Sequence, residues 1–152
     1  NIDCVKTLSN IDKTVAQLLE KKQQSFAADF PSQKILVKAN PDLFMQIFIN
    51  LIENAIKYTP EKGSISLSCA LDGDNVTFTL KDTGVGIDKT DLPFIFDRFY
   101  RSDKSRIRQD IGGSGIGLSL VKFLVELFAG KIFVASELGR GTTFTLVFPI
   151  QQ

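Results

Sequence analysis

Apolar residues recur at intervals of three and four in three stretches of the chain, the spacing of an amphipathic helix. The first stretch predicts a helix over residues 12–29, which Pro31 stops. The second predicts a helix that starts at Asn40, a candidate N-cap, and ends at Pro60. The third, GLSLVKFLVELFAG, predicts a helix over residues 117–130. We therefore expect three main helices.

Apolar and polar residues alternate in the stretches between these helices, which predicts strands. GSISLSCAL and NVTFTLKDTG flank a turn at residues 72–74, KIFVAS and TTFTLVFP come last, and KILVKA is a short strand near the start. The predicted fold class is α+β: a two-layer α/β sandwich with a mixed, mostly antiparallel sheet of about five strands and three main helices on one face. No repeat or long linker divides the chain, so residues 1–152 are expected to form one domain.

The composition is that of a soluble globular domain, with 43% hydrophobic and 23% charged residues in 152. A net charge of +1 gives no field that would recruit nucleic acid or an anionic membrane. Cys4 and Cys69 lack metal-site spacing and indicate free thiols in a reducing compartment. The chain has no histidine, which excludes histidine-based acid–base catalysis and a phosphohistidine on this chain. Met45 is the sole methionine, so we expect a fragment of a longer protein.

The second predicted helix has a polar face whose side chains could bind a ligand. Glu53 and Asn54 each lie three or four residues from both Asn50 and Lys57, so the four residues are neighbours on that face. Paired carboxamide oxygens can hold Mg²⁺ beside phosphate oxygens, and a lysine can reach a phosphate as a point charge. The alternative is an ordinary solvent-exposed face. The residues of this helix, taken alone, slightly favour that alternative.

Two further motifs admit a structural and a functional interpretation. DTGVGI places Asp82 at the end of a strand, where it can accept a hydrogen bond from the amino group of a base, while Gly84 and Gly86 let the backbone pass close to a flat ring. The alternative is a common glycine turn. FDRFYRSDKSRIRQD has five basic residues and one acid between Arg98 and Arg108. This pattern favours a lid over a polyphosphate, with a charged surface loop as the alternative.

The glycine-rich stretch GGSGIG, residues 112–117, is a hinge that runs into a helix. It is not a P-loop, because no Lys-Ser or Lys-Thr pair follows it, and Leu118 stands where a dinucleotide fingerprint needs glycine. A helix N-terminus offers free amides and a positive dipole to an anion. The stretch is therefore interpreted as a phosphate-facing element.

In this order the four motifs resemble the ATP-binding catalytic domain of two-component sensor histidine kinases, in the superfamily that includes gyrase, the large heat-shock chaperones and mismatch-repair ATPases. NLIENAIKYTP resembles the N box, DTGVGI the first glycine box, FIFDRFYR the F box and GGSGIGLSLVK the second glycine box. GRGTTFTLVFP is similar to the closing strand. The resemblance covers about residues 2–149 and implies a Bergerat-type ATP-binding fold.

The resemblance implies ATP and Mg²⁺ as cofactors and assigns roles to the matching residues. Asn50 and Asn54 would surround Mg²⁺ and the phosphates, with Lys57 nearby. Arg101 and Arg98 would meet the terminal phosphates from the lid.

On the adenine side, the resemblance implies that Tyr58 packs on the ring and that Asp82 accepts its amino group. Thr142 or Thr143 would close this side of the pocket. The remaining implied nucleotide-binding positions are Gly84, Gly86, Ile87, Gly113, Ser114, Gly115, Ile116, Gly117 and Leu118.

The implied function is to bind Mg-ATP and to donate its γ-phosphoryl group to a histidine on a separate dimerisation domain of the same parent protein, which passes it to a response regulator. The fragment itself would be monomeric, would not autophosphorylate, and would belong to the cytoplasmic part of a membrane-bound sensor. One alternative is a superfamily ATPase clamp, although relatives of that kind use a glutamate at the position of Asn50. A nucleotide-binding module without transfer activity and a stand-alone serine kinase of anti-sigma type are the others.

Overall fold

The computed structural model describes residues 1–98, 100 and 117–152. Its helices are α1 (Cys4–Leu8), α2 (Ile11–Lys21), α3 (Pro41–Tyr58) and α4 (Gly117–Leu127), with a short 3-10 turn at Leu92–Phe94. Its strands are β1 (Ile2–Asp3), β2 (Ser25–Asp29), β3 (Leu36–Val37), β4 (Ser64–Asp72), β5 (Asn75–Asp82), β6 (Lys131–Glu137) and β7 (Gly141–Pro149).

The main sheet has five strands in the order β2-β4-β5-β7-β6. The pair β2–β4 is parallel, and the other three pairs are antiparallel. In β4, β5 and β7 alternate residues are buried against the helices, while serine and threonine side chains dominate the other face. The two-layer α+β class predicted from the sequence is confirmed, with a mixed sheet and its main helices on one face.

Helix α3 forms the centre of the core. The Asn40 side chain caps it by accepting from the Leu43 amide at 3.0 Å. The rings of Phe44 and Phe48 pack against Phe78 of β5 with centroids 5.9 and 4.9 Å away. Each such buried side chain contributes about 2 kcal/mol of transfer free energy. The buried residues of this helix are Phe44, Ile47, Phe48, Leu51, Ile52, Ala55 and Ile56.

The predicted helix over residues 12–29 is wrong beyond Lys21. Gln23 adopts a left-handed conformation with φ of 51°, which an α-helix cannot continue. The residues of β2 then pair in parallel with the first half of β4, from Ser25↔Ser64 to Asp29↔Ser68. Hydrogen bonds available at a sheet edge override the local helical pattern, as is common for β-structure.

The predicted strand over residues 34–39 is confirmed only in part. It is reduced to Leu36–Val37, which pairs with Ile2–Asp3 in a separate two-stranded sheet. The main sheet still has the expected five strands, because its fifth strand is β2 and not the segment at residues 34–39. None of the helices within the described ranges is long and apolar enough to cross a membrane.

Candidate functional site

Asp82 lies at the end of β5, opposite Thr142 of β7, with both residues buried on the helix side of the sheet. Its Oδ1 accepts from the Gly84 amide at 2.8 Å and from the Thr142 amide at 3.2 Å. Burial raises the pKa of Asp82, and these two hydrogen bonds partly oppose that effect. No hydrogen bond from the described residues reaches Oδ2. The carboxylate is thus oriented by the backbone, with one oxygen left to accept from a ligand.

The backbone after Asp82 passes so close to its neighbours that side chains are excluded. A Cβ on Gly84 would lie 2.6 Å from the Tyr58 carbonyl oxygen and 2.8 Å from Asp82 Oδ1. Gly86 has a φ of 77°, and a Cβ there would overlap the Glu137 carbonyl. These two glycines allow the loop to lie against α3 on one side and the end of β6 on the other.

The C-terminal end of α3 is held by groups from two other segments. Lys22 Nζ donates to the Ile56 carbonyl at 2.8 Å, and Gln24 Nε2 donates to the same carbonyl at 3.0 Å. The Val85 amide donates to the Tyr58 carbonyl at 3.0 Å. Carbonyls at a helix end lack partners within the helix, so these bonds stabilise the last turn. They also fix the backbone of Tyr58 next to the loop that follows Asp82.

The polar face of α3 presents Asn50 and Asn54 one turn apart, both half-buried. Gln46 Nε2 donates to Asn50 Oδ1 at 2.6 Å and so orients that carboxamide. The ammonium of the half-buried Lys57 lies 5.5 Å from the centroid of the Tyr58 ring. The structure therefore keeps the two carboxamides and the lysine on one side of the helix, as the sequence predicts.

This donor set fits a hard cation that is shared with phosphate oxygens. A carbonyl oxygen has two lone pairs, so the bond from Gln46 leaves Asn50 Oδ1 one further acceptor position. Residues 1–98, 100 and 117–152 contain no cluster of three or more His, Cys, Asp or Glu side chains that could hold a metal by themselves. A magnesium ion here would depend on amide oxygens, water and the nucleotide.

Ser136, which the sequence reasoning missed, links the loop after Asp82 to the β6–β7 pair. Its Oγ accepts from the Ile87 amide at 2.7 Å and lies 2.9 Å from the Gly141 carbonyl oxygen and 2.7 Å from Thr142 Oγ1. Ser136 pairs in register with Thr142. A polar residue at an inward-facing position of a strand is the signal that could have identified it.

The two threonines considered for the adenine side point to opposite faces of the sheet. Thr142 is buried beside Asp82, while Thr143 pairs with Lys81 on the outer face. Gly117 is the first residue of α4, and Leu118 packs against the core. Other predicted positions lie outside the described residues, namely Arg101, Gly113, Ser114, Gly115 and Ile116.

The predicted F-box segment is anchored to the rest of the domain. The ring of Phe96 packs on Phe144 of β7 with centroids 6.3 Å apart, and Lys122 Nζ of α4 lies 5.8 Å from the Phe96 centroid. Arg98, two residues further on, is exposed. The start of the predicted lid therefore contacts both β7 and α4.

A surface depression of about 250 Å³ lies away from this constellation. It is at the other end of the sheet, because Leu71 in its lining pairs with Val76, six residues before Asp82 and so about 20 Å along β5. Its lining has a single charged side chain, that of Lys34, so the residues around Asp82 remain the better candidate. Its lining comprises Lys34, Ile35, Leu36, Leu71, Ile150 and Gln151.

Comparison with known proteins shows which family and which folds this chain is similar to. The family model described as histidine kinase-, DNA gyrase B-, and HSP90-like ATPase matches residues 39–152. The signal transduction histidine-protein kinase ArlS of Staphylococcus aureus is 41% identical over 123 residues, which are 81% of this chain and 27% of ArlS. The chain thus spans about a quarter of the length of this curated relative.

Solved structures share the fold over nearly the whole chain. The mycobacterial sensor histidine kinase MprB is 22% identical with a TM-score of 0.80, over 99% of this chain and 96% of that one. Full-length ShkA in complex with AMPPNP is 28% identical with a TM-score of 0.84, over 99% of this chain and 31% of ShkA. The resemblance indicated by the four motifs is confirmed.

Proposed function

The chain belongs to the family of histidine kinase-, DNA gyrase B- and HSP90-like ATPases, and we propose that it is the catalytic domain that supplies ATP for histidine phosphorylation in a sensor kinase. The match covers residues 39–152. The preceding helices belong to the same unit in this proposal, because Leu8, Ile11 and Val15 are buried in one core with α3.

The observation that carries the proposal is the open Oδ2 of Asp82. A buried carboxylate whose other oxygen is saturated by two backbone amides can accept a hydrogen bond from an exocyclic amino group such as that of adenine. A bound base would cover Asp82 Oδ2, and leaving that acceptor without a hydrogen bond would cost binding free energy. A base that offers no donor to Oδ2 is therefore disfavoured. Tyr58, held by the Val85 amide, would pack on the face of the ring.

The phosphate end would lie along the polar face of α3. Asn50 and Asn54 would hold Mg²⁺ with the phosphate oxygens, and Lys57 would reach a phosphate as a point charge. When bound, the metal neutralises charge on the β- and γ-phosphates. The amides at the start of α4, around Gly117, and the predicted lid residues Arg98 and Arg101 would complete the binding of the phosphate chain.

The acceptor of the phosphoryl group must be supplied by another domain, because this chain has no histidine. In the transfer, a ring nitrogen of the acceptor histidine bonds to the γ-phosphorus while the bond to the bridging oxygen breaks, and ADP leaves with that electron pair. The protein's task is to position the two reactants and to neutralise charge. A response regulator would then receive the phosphoryl group from the histidine.

We propose that the acceptor domain docks on an exposed apolar stripe of α4. Leu120, Phe123 and Leu127 recur at helical spacing and are 36%, 62% and 55% exposed. Their helix begins at Gly117, in the glycine motif proposed to bind the phosphates, so a helical domain packed on this stripe would lie near the proposed phosphate site. Aliphatic and aromatic side chains suit a partner made of amphipathic helices.

An ATP-hydrolysing clamp is the competing function. It needs a general base near the γ-phosphate, and the carboxamide of Asn50 cannot act as one. Glu53, the nearest carboxylate along α3, is exposed to solvent. Histidine transfer is therefore favoured over hydrolysis.

The test is to incubate this chain with Mg-ATP labelled at the γ-phosphate, with and without a separately supplied histidine-containing helical domain of its parent. Acid-labile label on the added domain, with slow release of free phosphate in its absence, is the expected result. Rapid release of phosphate by the chain alone would favour the clamp. Binding of ATP with neither transfer nor release would favour a nucleotide-binding module.

We also propose that the parent sensor holds this domain on the cytoplasmic side, where ATP is available.

A further inference from the structure

The Ser136 hydroxyl makes as many hydrogen bonds as a hydroxyl can. It has one proton to donate and two lone pairs to accept with. The Ile87 amide can only donate to it, at 2.7 Å, and the Gly141 carbonyl oxygen can only accept from it, at 2.9 Å. The third neighbour, Thr142 Oγ1 at 2.7 Å, is a hydroxyl that can do either.

These three contacts fix which hydroxyl donates to which. If Ser136 donated to Thr142, its contact with the Gly141 carbonyl would place two oxygens 2.9 Å apart with no proton between them. All three bonds form together only when Ser136 donates to Gly141 and Thr142 donates to Ser136. The Thr142 proton is then directed at Ser136, and its Oγ1 offers only lone pairs to other groups.

Thr142 stands beside Asp82, whose open Oδ2 is also an acceptor. The two residues are paired across β5 and β7 and joined by the bond from the Thr142 amide to Asp82 Oδ1. This pair therefore has two acceptors, Asp82 Oδ2 and Thr142 Oγ1, and no side-chain donor to offer a base bound against it. That arrangement suits an amino group, directly or through a water that donates to Thr142, and it repels a carbonyl oxygen.

We propose that Ser136 is a positioning residue that sets nucleotide specificity, because it locks the Thr142 hydroxyl as an acceptor and so selects a 6-aminopurine over a 6-oxopurine. The inference rests on the proposed function, since it concerns the base of the same nucleotide. Ser136 acts through Thr142, and its bond to the Ile87 amide fixes the loop in the same step.

The test compares the affinities of the chain for ATP and for inosine triphosphate, which carries an oxygen in place of the 6-amino group, by calorimetric titration in the presence of Mg²⁺. Ser136→Ala frees the Thr142 hydroxyl to rotate and donate, so we expect the ATP/ITP affinity ratio to fall about tenfold. Ser136→Thr retains a hydroxyl and is expected to restore most of the ratio. Ser68→Ala, on the outer face of the sheet, is the matched control and leaves the ratio unchanged.

A double-mutant cycle separates this role from a purely structural one. In a Thr142→Val background there is no hydroxyl to orient, so Ser136→Ala should not change the ratio further. Should the alanine variant not fold, Ser136→Cys replaces it, because a thiol is a poorer acceptor and lowers the ratio in the same direction.

Equal loss of ATP and ITP affinity in the Ser136 variant, or a change in the ratio that persists in the Thr142→Val background, would overturn the inference. The proposed function fails separately, and would do so if the wild-type chain bound neither nucleotide.

Discussion

The backbone amide of Thr142 donates to Asp82 Oδ1 at 3.2 Å from the neighbouring strand, and the Gly84 amide donates to the same oxygen at 2.8 Å. Two fixed donors on one oxygen prevent rotation of the carboxylate and keep the other oxygen turned away from the backbone. Asp82 is only 6% exposed, so its orientation is set by the fold and does not depend on a bound ligand.

Replacing Asp82 with asparagine should lower the preference for ATP over GTP about tenfold or more. The side chain keeps its shape and its bonds to the two amides, but the group turned toward the base becomes an NH₂ donor that faces another donor. Affinities for ATP and GTP, measured by calorimetry, give the ratio. Asp74→Asn, at the exposed turn on the other end of β5, should not alter it. An unchanged ratio in the Asp82 variant would rule out the assigned contact.

The stability of the domain should depend on pH through Asp82. Burial raises the pKa of this group in the folded state above its value of 3.8 in the unfolded chain, so the folded state binds the proton more tightly. The free energy of unfolding of the wild type, relative to Asp82→Asn, should fall as the pH rises from 3.8 through the folded-state pKa. Urea denaturation of both proteins over a pH series measures this difference. A constant difference would show that the carboxylate carries no burial penalty.

Gly86→Ala should destabilise the domain much more than Gly139→Ala. The two glycines have nearly equal φ values of 77° and 79°, so both lie in the left-handed region that disfavours a side chain. A Cβ on Gly86 meets the Glu137 backbone, whereas nothing lies within 4 Å of one on Gly139. We expect a loss of about 1 kcal/mol at residue 139 and of at least twice that at residue 86. Equal losses in the free energy of unfolding, measured by urea denaturation, would mean that the loop around Gly86 can move away from Glu137 without destabilising the domain.

Asn54→Ala should weaken binding of Mg-ATP at least tenfold with little change in stability, because the carboxamide is half-buried and would be a ligand of the cation. The neighbouring Glu53→Ala, at an exposed position of the same helix, controls for effects on α3 and should bind normally. Titrations with and without Mg²⁺ report the metal contribution. A defect of the same size in both conditions would assign Asn54 to the phosphates alone.

Phe123→Ser should slow transfer to a separately supplied acceptor domain several-fold and leave ATP affinity unchanged. Phe123 is exposed on α4, and its loss removes apolar area from the proposed docking stripe. Phe133→Ser is the matched control, since Phe133 is 55% exposed on β6, on the outer face of the sheet. Transfer rates at saturating ATP provide the comparison. Equal slowing in both variants would place the docking surface elsewhere.

The parts of the fold that the sequence predicts well are those in which a single periodicity is sustained. Helix α3 has seven buried residues at helical spacing between a capping asparagine and a proline, so its pattern has one interpretation. The segment at residues 22–29 is different. Its residues tolerate a helix, and the partner that makes them a strand is β4, which lies nearly forty residues further along the chain. Such long-range pairing leaves no local pattern to detect.

The candidate site shows the same division between local motifs and contacts across strands. Asp82, Gly84 and Gly86 stand together in one short motif, so the sequence identifies them. Ser136 and the choice of Thr142 over Thr143 depend on the register of β5, β6 and β7. That register decides which side chains share a face of the sheet, and it is set by the packing of all five strands.

Titration of this chain with ATP and with GTP, each with and without Mg²⁺, is the decisive test of the proposed nucleotide site. We expect saturable binding that prefers ATP and is strengthened by Mg²⁺, because Asp82 would select the amino group while Asn50 and Asn54 would hold the cation. A folded protein that binds neither nucleotide, or that binds both equally, would contradict it.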